Sequence, residues 1–160
     1  MFKIGDKIVY PMQGTGIIKG IEEKEFLGEK RHYYIIKMLT NNMKVMIPVN
    51  KMSDSNVRLI SDATTLEKVL LKFHNKRSKP NETLTSKQRQ QINMQKIKSG
   101  SLQETAEVVL DLTHLNKKKP LNSSEKQMLT TAQRFLIDEI SLIKKITVDE
   151  AEDLLYSSIL

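Results

Sequence analysis

The spacing of apolar residues changes near residue 62, and this change restricts the possible folds more than any other feature of the chain. Before it, short apolar and β-branched runs end at turn formers, as the run at 7–10 does at Pro11. After it, apolar residues recur every three or four positions, as they do over 66–73. The sequence therefore predicts an α+β fold. A small SH3/Tudor-like β-barrel should occupy residues 1–61, and a five-helix domain should occupy residues 62–160.

Turn residues divide the first part into four or five short strands. Gly14-Thr15-Gly16 and Asn41-Asn42 are predicted as turns, and a third turn is expected around Gly28. The run from Met43 to Ile47 then alternates, so that Met43, Val45 and Ile47 share one face. Because Pro48 follows directly and cannot donate a backbone hydrogen bond, we expect this run to be an edge strand.

Capping residues place the helices of the second part. Ser86 is predicted to cap the second helix, which should run to Ser99 and stop at Gly100. That helix is poor in apolar residues, with Ile92 and Ile97 expected to face the core, so it should lie at the surface. Three further helices should begin at the capping residues Ser101, Asn122 and Thr147.

The residue types that build most active sites are missing or scattered. The chain has no Cys, which excludes disulfides, thiolate zinc sites and cysteine nucleophiles. His32, His74 and His114 have no second histidine three or four residues away, so we expect no metal site. Neither a phosphate-binding glycine loop nor a nucleophile elbow is present. The sequence therefore predicts a binding protein without a cofactor rather than an enzyme.

Hydropathy and heptad patterns address location and assembly. No apolar run reaches the roughly 18 residues of a membrane span, and no secretory signal is apparent at the start of the sequence. We therefore expect a cytoplasmic protein that makes no membrane contact. Since no long heptad seam occurs, we also expect a monomer.

Basic residues are concentrated in one stretch. The chain has a net charge of +7, and residues 72–98 contain eight basic side chains against the single acidic Glu82. This stretch alone therefore carries an excess equal to that of the whole chain. Two interpretations remain open: a solvated helix face with a basic loop, or a surface that contacts a polyanion such as a nucleic-acid backbone.

Several sequence blocks, in order, resemble the CarD/CdnL family of bacterial transcription regulators over about residues 1–145. They lie at 5–16 (GDKIVYPMQGTG), 21–34, 46–48, 96–100 (KIKSG), 106–112 and 124–129 (SEKQML). The resemblance implies that the N-terminal domain binds the β subunit of RNA polymerase, as does the related domain of transcription-repair coupling factors. It also implies that the helical domain contacts promoter DNA at the upstream edge of the transcription bubble. Such a protein stabilises the open promoter complex.

The resemblance also assigns site residues. Strand addition to an exposed sheet edge is the expected mode of polymerase binding. The polymerase-binding residues implied are Lys24, Met43, Lys44, Val45, Met46, Ile47 and Pro48. The DNA-binding residues implied are Arg77, Lys79, Ser86, Lys87, Arg89 and Lys126. Their contacts with phosphates would position the protein without reading sequence.

The chain departs from this family at the DNA wedge. Many relatives begin this helix with a Trp that inserts at the minor-groove edge of the fork, whereas this chain has Ser86 there and no Trp at all. DNA contact should then depend more on charge, or Leu84 should act as a lesser apolar contact. An alternative is a protein-interaction module on RNA polymerase that has lost its wedge activity. A second alternative, a Tudor-like RNA binder, needs exposed aromatics, for which Tyr10, Tyr33 and Tyr34 are the candidates.

Overall fold

The computed structural model of the protein describes residues 2–75 and 84–159. The chain divides into two compact units, residues 1–60 and residues 61–160. The first unit contains a β-sheet and the second contains helices, so the predicted α+β fold class is confirmed. The predicted DNA-binding residues Arg77 and Lys79 lie outside the described residues.

The first unit, called here the sheet domain, is one antiparallel sheet in the strand order β4-β3-β2-β1-β5. The strands are β1 (Lys7–Tyr10), β2 (Gly14–Phe26), β3 (Glu29–Met38), β4 (Lys44–Pro48) and β5 (Arg58–Leu59). Side chains of β1, β2 and β3 form most of the core of this domain, and Ile8, Ile18 and Ile36 are fully buried. Tyr34, Ile36 and Met38 reach this core from alternate positions of β3. Val9 and Ile35, on the other face of their strands, are buried as well.

The predicted turn at Gly14-Thr15-Gly16 is wrong, because these residues form the start of β2. The turn lies just before them, where Met12 has a left-handed φ of 68°. Gly16 has another purpose: a Cβ at this position would lie 2.9 Å from Cγ2 of Ile36. Glycine at this position therefore allows close packing within the sheet rather than chain reversal.

The hairpin of β2 and β3 projects as a two-stranded ribbon, defined here as residues 21–32. β1 pairs with β2 only as far as Ile17, and β4 pairs with β3 only as far as Tyr33. The ribbon residues are exposed on both faces. At its tip, Leu27 and Gly28 have φ values of 51° and 80°, which suit a tight hairpin turn with two left-handed residues.

Leu27 is an unfavourable residue for the ribbon tip, and its replacement by Asn should stabilise the sheet domain. A left-handed backbone conformation strains a bulky side chain, whereas Asn tolerates it. Leu27 is also 89% exposed, so its replacement removes little buried apolar surface. We expect Leu27→Asn to raise the free energy of unfolding by about 1 kcal/mol. Urea denaturation measures the change, and a decrease in stability would contradict this account of the turn.

The second unit, called here the helical domain, contains five helices. They are α1 (Ala63–Asn75), α2 (Ser86–Lys98), α3 (Leu102–Lys118), α4 (Ser123–Lys144) and α5 (Val148–Ile159). α3 contacts α1, α2 and α4, which explains why its apolar stripe is so wide. No helix in the two described ranges combines the length and the apolar character that crossing a membrane requires.

Helix caps agree with the sequence at α3 and α4 and differ at α2. Ser101 and Asn122 cap α3 and α4, as predicted, each accepting a hydrogen bond from the backbone N–H three residues on. The predicted cap Ser86 is wrong, because Thr85 caps α2 in a reciprocal capping box with Gln88. Ser86 is instead the first helical residue.

The prediction for the buried face of α2 is only half right. Ile97 is buried, with 2% of its surface exposed, but Ile92 is 42% exposed. Asn93, four residues before Ile97, is the other buried residue of this helix. Since residues four apart share one helix face, Ile92 points away from the core and Asn93 takes its place.

Candidate functional site

β4 lies at one end of the sheet order, so the strand predicted to be an edge strand is one. β3 covers one side of β4, and no strand in the described residues pairs with the other side. We call that outer side of Lys44–Pro48 the open edge. A sheet edge of this kind presents backbone N–H and C=O groups that a partner strand can pair with.

The register of β4 on β3 shows which backbone groups face the open edge. The N–H of Met38 donates to the C=O of Met43 over 2.8 Å, and Val45 lies opposite Ile36. In an antiparallel pair, hydrogen-bonded residues alternate with residues whose polar groups point outward. Val45 therefore bonds to β3, whereas the N–H and C=O groups of Lys44 and Met46 face the open edge.

The exposure of the side chains also alternates along β4. Lys44 and Met46 are exposed, and Met46 is 40% exposed although it is apolar. Ile47 is only 6% exposed and belongs to the core of the sheet domain, and by the same alternation its N–H and C=O groups face Tyr34 of β3. Its polymerase contact stays a prediction. Pro48 has no N–H, which ends the donor pattern of the open edge at this position.

Lys24 lies on the ribbon, where its charge is partly balanced. Its Nζ lies 3.3 Å from a carboxylate oxygen of Glu22, and both side chains are about half exposed. Across the ribbon, Lys24 pairs with Arg31, whose guanidinium lies 2.8 Å from Glu29. The hydrogen bond and charge of Glu29 raise the pKa of Arg31. Two like charges face each other here, and each has its own acidic neighbour.

The predicted DNA-binding residues of the helical domain include three exposed side chains at helix starts. Ser86 and Lys87 are the first two residues of α2, and Lys126 is the fourth residue of α4. Helix N-termini carry partial positive charge and unsatisfied N–H groups, which favour anions. Lys87 and Lys126 are therefore suited to phosphate contact by both side-chain charge and location.

Arg89 differs from these residues because its guanidinium is engaged within the helical domain. Its Nη2 donates to Oε1 of Glu125 over 3.2 Å, and its Nη1 donates to the C=O of Leu84 over 3.0 Å. The Arg89 side chain is 22% exposed and that of Glu125 is 3% exposed. Arg89 thus makes two contacts within the helical domain, and the phosphate contact that the resemblance implies for it stays a prediction.

Glu125 connects this arginine to the cap of α4. Its Oε1 also accepts a hydrogen bond from Nδ2 of Asn122 over 3.3 Å, while the Asn122 Oδ1 accepts from the N–H of Glu125 over 2.8 Å. The sequence predicts Asn122 as a helix cap and assigns no role to Glu125 beyond that cap. Nothing in the local sequence indicates that a residue 36 positions earlier completes the group.

The three tyrosines that are candidates for an RNA-binding face are all at least partly buried. Tyr34 is 2% exposed and packs edge-on against Phe2, with 6.1 Å between ring centroids. Tyr10 packs against the same core, and Tyr33 is half-buried. The positions of these rings therefore favour structural roles over base stacking.

Two acidic side chains of the helical domain have shifted pKa values, and local structure explains both shifts. Hydrogen bonds from Thr65 lower the pKa of Asp62, at the start of α1. Partial burial raises the pKa of Asp138 on α4, although the charge of Arg134 opposes this shift. In the described ranges, no three His, Cys, Asp or Glu residues are grouped so that they could hold a metal ion.

The sheet domain and the helical domain each match a known domain. Residues 2–61 match the family described as the CarD-like/TRCF RID domain. Residues 68–156 match the family described as the CarD, C-terminal domain. A sheet domain followed by a helical domain is thus the domain order of a class of bacterial transcription factors. The chain belongs to the CarD family.

A full-length relative supports this assignment. YdeB of Bacillus subtilis (strain 168), a protein with the provisional name of a transcription factor, is 52% identical over 147 residues. The match covers 92% of this chain and 95% of YdeB. The resemblance predicted from the sequence blocks is therefore confirmed.

Two solved structures from Myxococcus xanthus also match part of the chain. CdnLNt is 47% identical, and the match covers 33% of this chain and 75% of that chain with a TM-score of 0.30. The solution NMR structure of the 72-residue N-terminal domain of CarD is 30% identical, with coverage of 37% and 79% and a TM-score of 0.32.

Proposed function

We propose that the sheet domain binds the β subunit of RNA polymerase by strand addition at the open edge. The observation that carries this proposal is that β4 lies at the edge of a sheet in a domain of the CarD-like/TRCF RID type. A partner strand would pair with the outward backbone groups of Lys44 and Met46, and the exposed Met46 side chain would add apolar contact. Retention on an immobilised β fragment tests the proposal, and failure of the intact protein to be retained would refute it.

The helical domain, in this proposal, contacts promoter DNA at the upstream edge of the bubble and so stabilises the open complex. Support comes from the exposed lysines at the starts of α2 and α4 and from the further basic residues that precede α2 in sequence. These cations would bind phosphates and provide weak, sequence-independent affinity. The protein would do this in the bacterial cytoplasm, as a monomer, without a cofactor or catalysis.

Charge, rather than a wedge, should account for the DNA affinity. Ser86 is exposed but too small to stack on a base step. Leu84 is half-buried, and its carbonyl accepts a hydrogen bond from Arg89, so it is a poor substitute for a wedge. The small, polar Ser86 at the wedge position is the observation that favours the second candidate function, a polymerase-binding module without DNA activity.

The salt dependence of DNA binding distinguishes the two functions. Contacts from Arg77, Lys79, Lys87 and Lys126 should release about four counterions, so log K should fall with log salt at a slope of about −3 to −4. Fluorescence anisotropy with a labelled fork-junction DNA at several salt concentrations measures this slope. A slope near zero, or no binding at low salt, would leave only the interaction module.

Open-complex lifetime provides a second distinction. Replacing Lys87 and Lys126 together by Gln should shorten the lifetime of a promoter complex formed in the presence of the protein. An unchanged lifetime, with polymerase binding retained, would show that these lysines do not contact promoter DNA.

A further inference from the structure

The contact between Arg89 and Glu125 joins the starts of two helices that are far apart in sequence. Arg89 lies in the first turns of α2 and Glu125 is the third residue of α4. One end of the guanidinium holds the C=O of Leu84, just before the α2 cap, and the other end holds the Glu125 carboxylate. We call Arg89, Glu125, Asn122 and the Leu84 carbonyl the clamp.

The role of Glu125 differs from that of an ordinary capping glutamate. In a capping box, the glutamate at the third helical position accepts a hydrogen bond from the backbone N–H of its own cap residue. Glu150 does this at α5, where its Oε1 accepts from the N–H of Thr147 over 3.4 Å and from the hydroxyl over 3.1 Å. Glu125 instead directs its carboxylate toward the side chain of Asn122 and toward another helix.

Burying this charged pair costs free energy, because both ions lose their contact with water. Glu125 is almost completely buried, and both its Oε2 and the Nε of Arg89 are buried without a hydrogen-bond partner. A charged pair that leaves two polar atoms unsatisfied is a weak source of stability compared with apolar packing. In some proteins, buried polar or charged groups of this kind instead fix one arrangement of the elements that they join.

We infer that the clamp fixes the first turn of α2 against the first turn of α4, so that Lys87 and Lys126 engage one DNA backbone together. Each lysine is exposed and lies within one helical turn of a clamp residue. Two cations held at a fixed separation bind a regular array of phosphates without a further ordering cost. Arg89 and Glu125 are then positioning residues. This inference rests on the proposed DNA contact of the helical domain.

The direction in which one substitution changes DNA affinity tests the clamp. Glu125→Gln removes a negative charge, so a purely electrostatic view predicts tighter DNA binding. The clamp predicts the reverse: affinity for a fork-junction DNA should fall about 3- to 10-fold, equivalent to re-ordering one long side chain. Asp153→Asn is the matched control, because it makes the same charge change at an exposed residue of α5 and should not weaken binding. Equal or tighter binding by Glu125→Gln would overturn the inference.

A second measurement separates positioning from a loss of folded protein. In the wild-type background, the losses of DNA affinity caused by Lys87→Gln and Lys126→Gln should be coupled. The fold-loss of the double variant should then be smaller than the product of the two single fold-losses. In the Glu125→Gln or Arg89→Lys background, we expect the losses to multiply. A partly unfolded protein changes every dissociation constant by the same factor and leaves the coupling intact. Coupling that persists unchanged in both backgrounds would therefore overturn the inference.

The same measurements separate failure of the clamp from failure of the proposed function. If neither lysine variant changes the affinity of the wild-type protein, the proposed DNA contact is wrong and the clamp has no role in it. If the lysines matter but Glu125→Gln binds as tightly as Asp153→Asn, only the clamp is wrong. Retention on the polymerase β fragment should be unchanged in all of these variants, since they leave the sheet domain intact.

Discussion

Met46→Pro is expected to reduce binding to an immobilised fragment of the RNA polymerase β subunit by about 10-fold or more. Proline removes the N–H that Met46 directs toward the open edge, and with it one hydrogen bond to the added strand. A lost pairing leaves a carbonyl of the partner buried and unsatisfied, which costs about 1–3 kcal/mol. Surface plasmon resonance against the β fragment measures the change in affinity.

The register of β4 makes Met46 a better position for this test than Val45. Val45 lies opposite Ile36 in a hydrogen-bonded pair, so a proline there would break the sheet as well as the edge. Met46 lies opposite Ile35 in the alternating pair whose polar groups face outward. A proline at an outward position of an edge strand leaves the pairing with the neighbouring strand in place.

Leu59→Pro is the matched control, because it makes the same change at the other edge of the sheet. Leu59 belongs to β5 and lies opposite Ile8. The N–H of Ile60 donates to the C=O of Lys7, so the N–H of Leu59 points outward by the same alternation. We expect this variant to bind the β fragment as the wild type does. Equal binding by Met46→Pro and the wild type would exclude strand addition at β4.

Arg89→Met is expected to destabilise the helical domain by about 3 kcal/mol, because it leaves Glu125 as a buried and unpaired charge. Lys87→Met, two residues earlier in the same helix, removes an exposed charge and should change stability by less than about 0.5 kcal/mol. Urea unfolding followed by circular dichroism at a helix-sensitive wavelength measures both changes. The pair of variants thus separates a structural arginine from an exposed lysine.

Removing both charges provides the control for this prediction. The double variant Arg89→Met, Glu125→Leu leaves no buried charge, so it should recover most of the lost stability. If Arg89→Met alone is as stable as the wild type, the contact with Glu125 contributes little, and Arg89 becomes available again as a phosphate contact.

Local features of the chain were predictable because short-range chemistry determines them. The change of apolar spacing near residue 62 gave the α+β fold, and the caps at Ser101 and Asn122 followed from their hydroxyl and amide side chains. Pro48 indicated an edge strand because it cannot take part in a central ladder. Each of these inferences depends on residues within four positions of one another.

Features that depend on distant residues were not predictable. Gly16 looked like a turn glycine, and only the approach of Ile36 across the sheet shows why a side chain is excluded there. Ile92 looked like a core residue until the packing of α2 placed Asn93 inward. Arg89 looked like part of a basic surface, since its charge is visible in the sequence and its contact with Glu125 is not.

Amide hydrogen exchange in the presence of the polymerase β fragment tests the central claim most directly. Strand addition at the open edge predicts that the amides of Lys44 and Met46 become strongly protected when the fragment is added. The amide of Val45, already bonded to β3, should keep its protection, and that of Leu59 on the opposite edge should not change. If the fragment binds while the amides of Lys44 and Met46 exchange as fast as before, polymerase binding does not occur through β4.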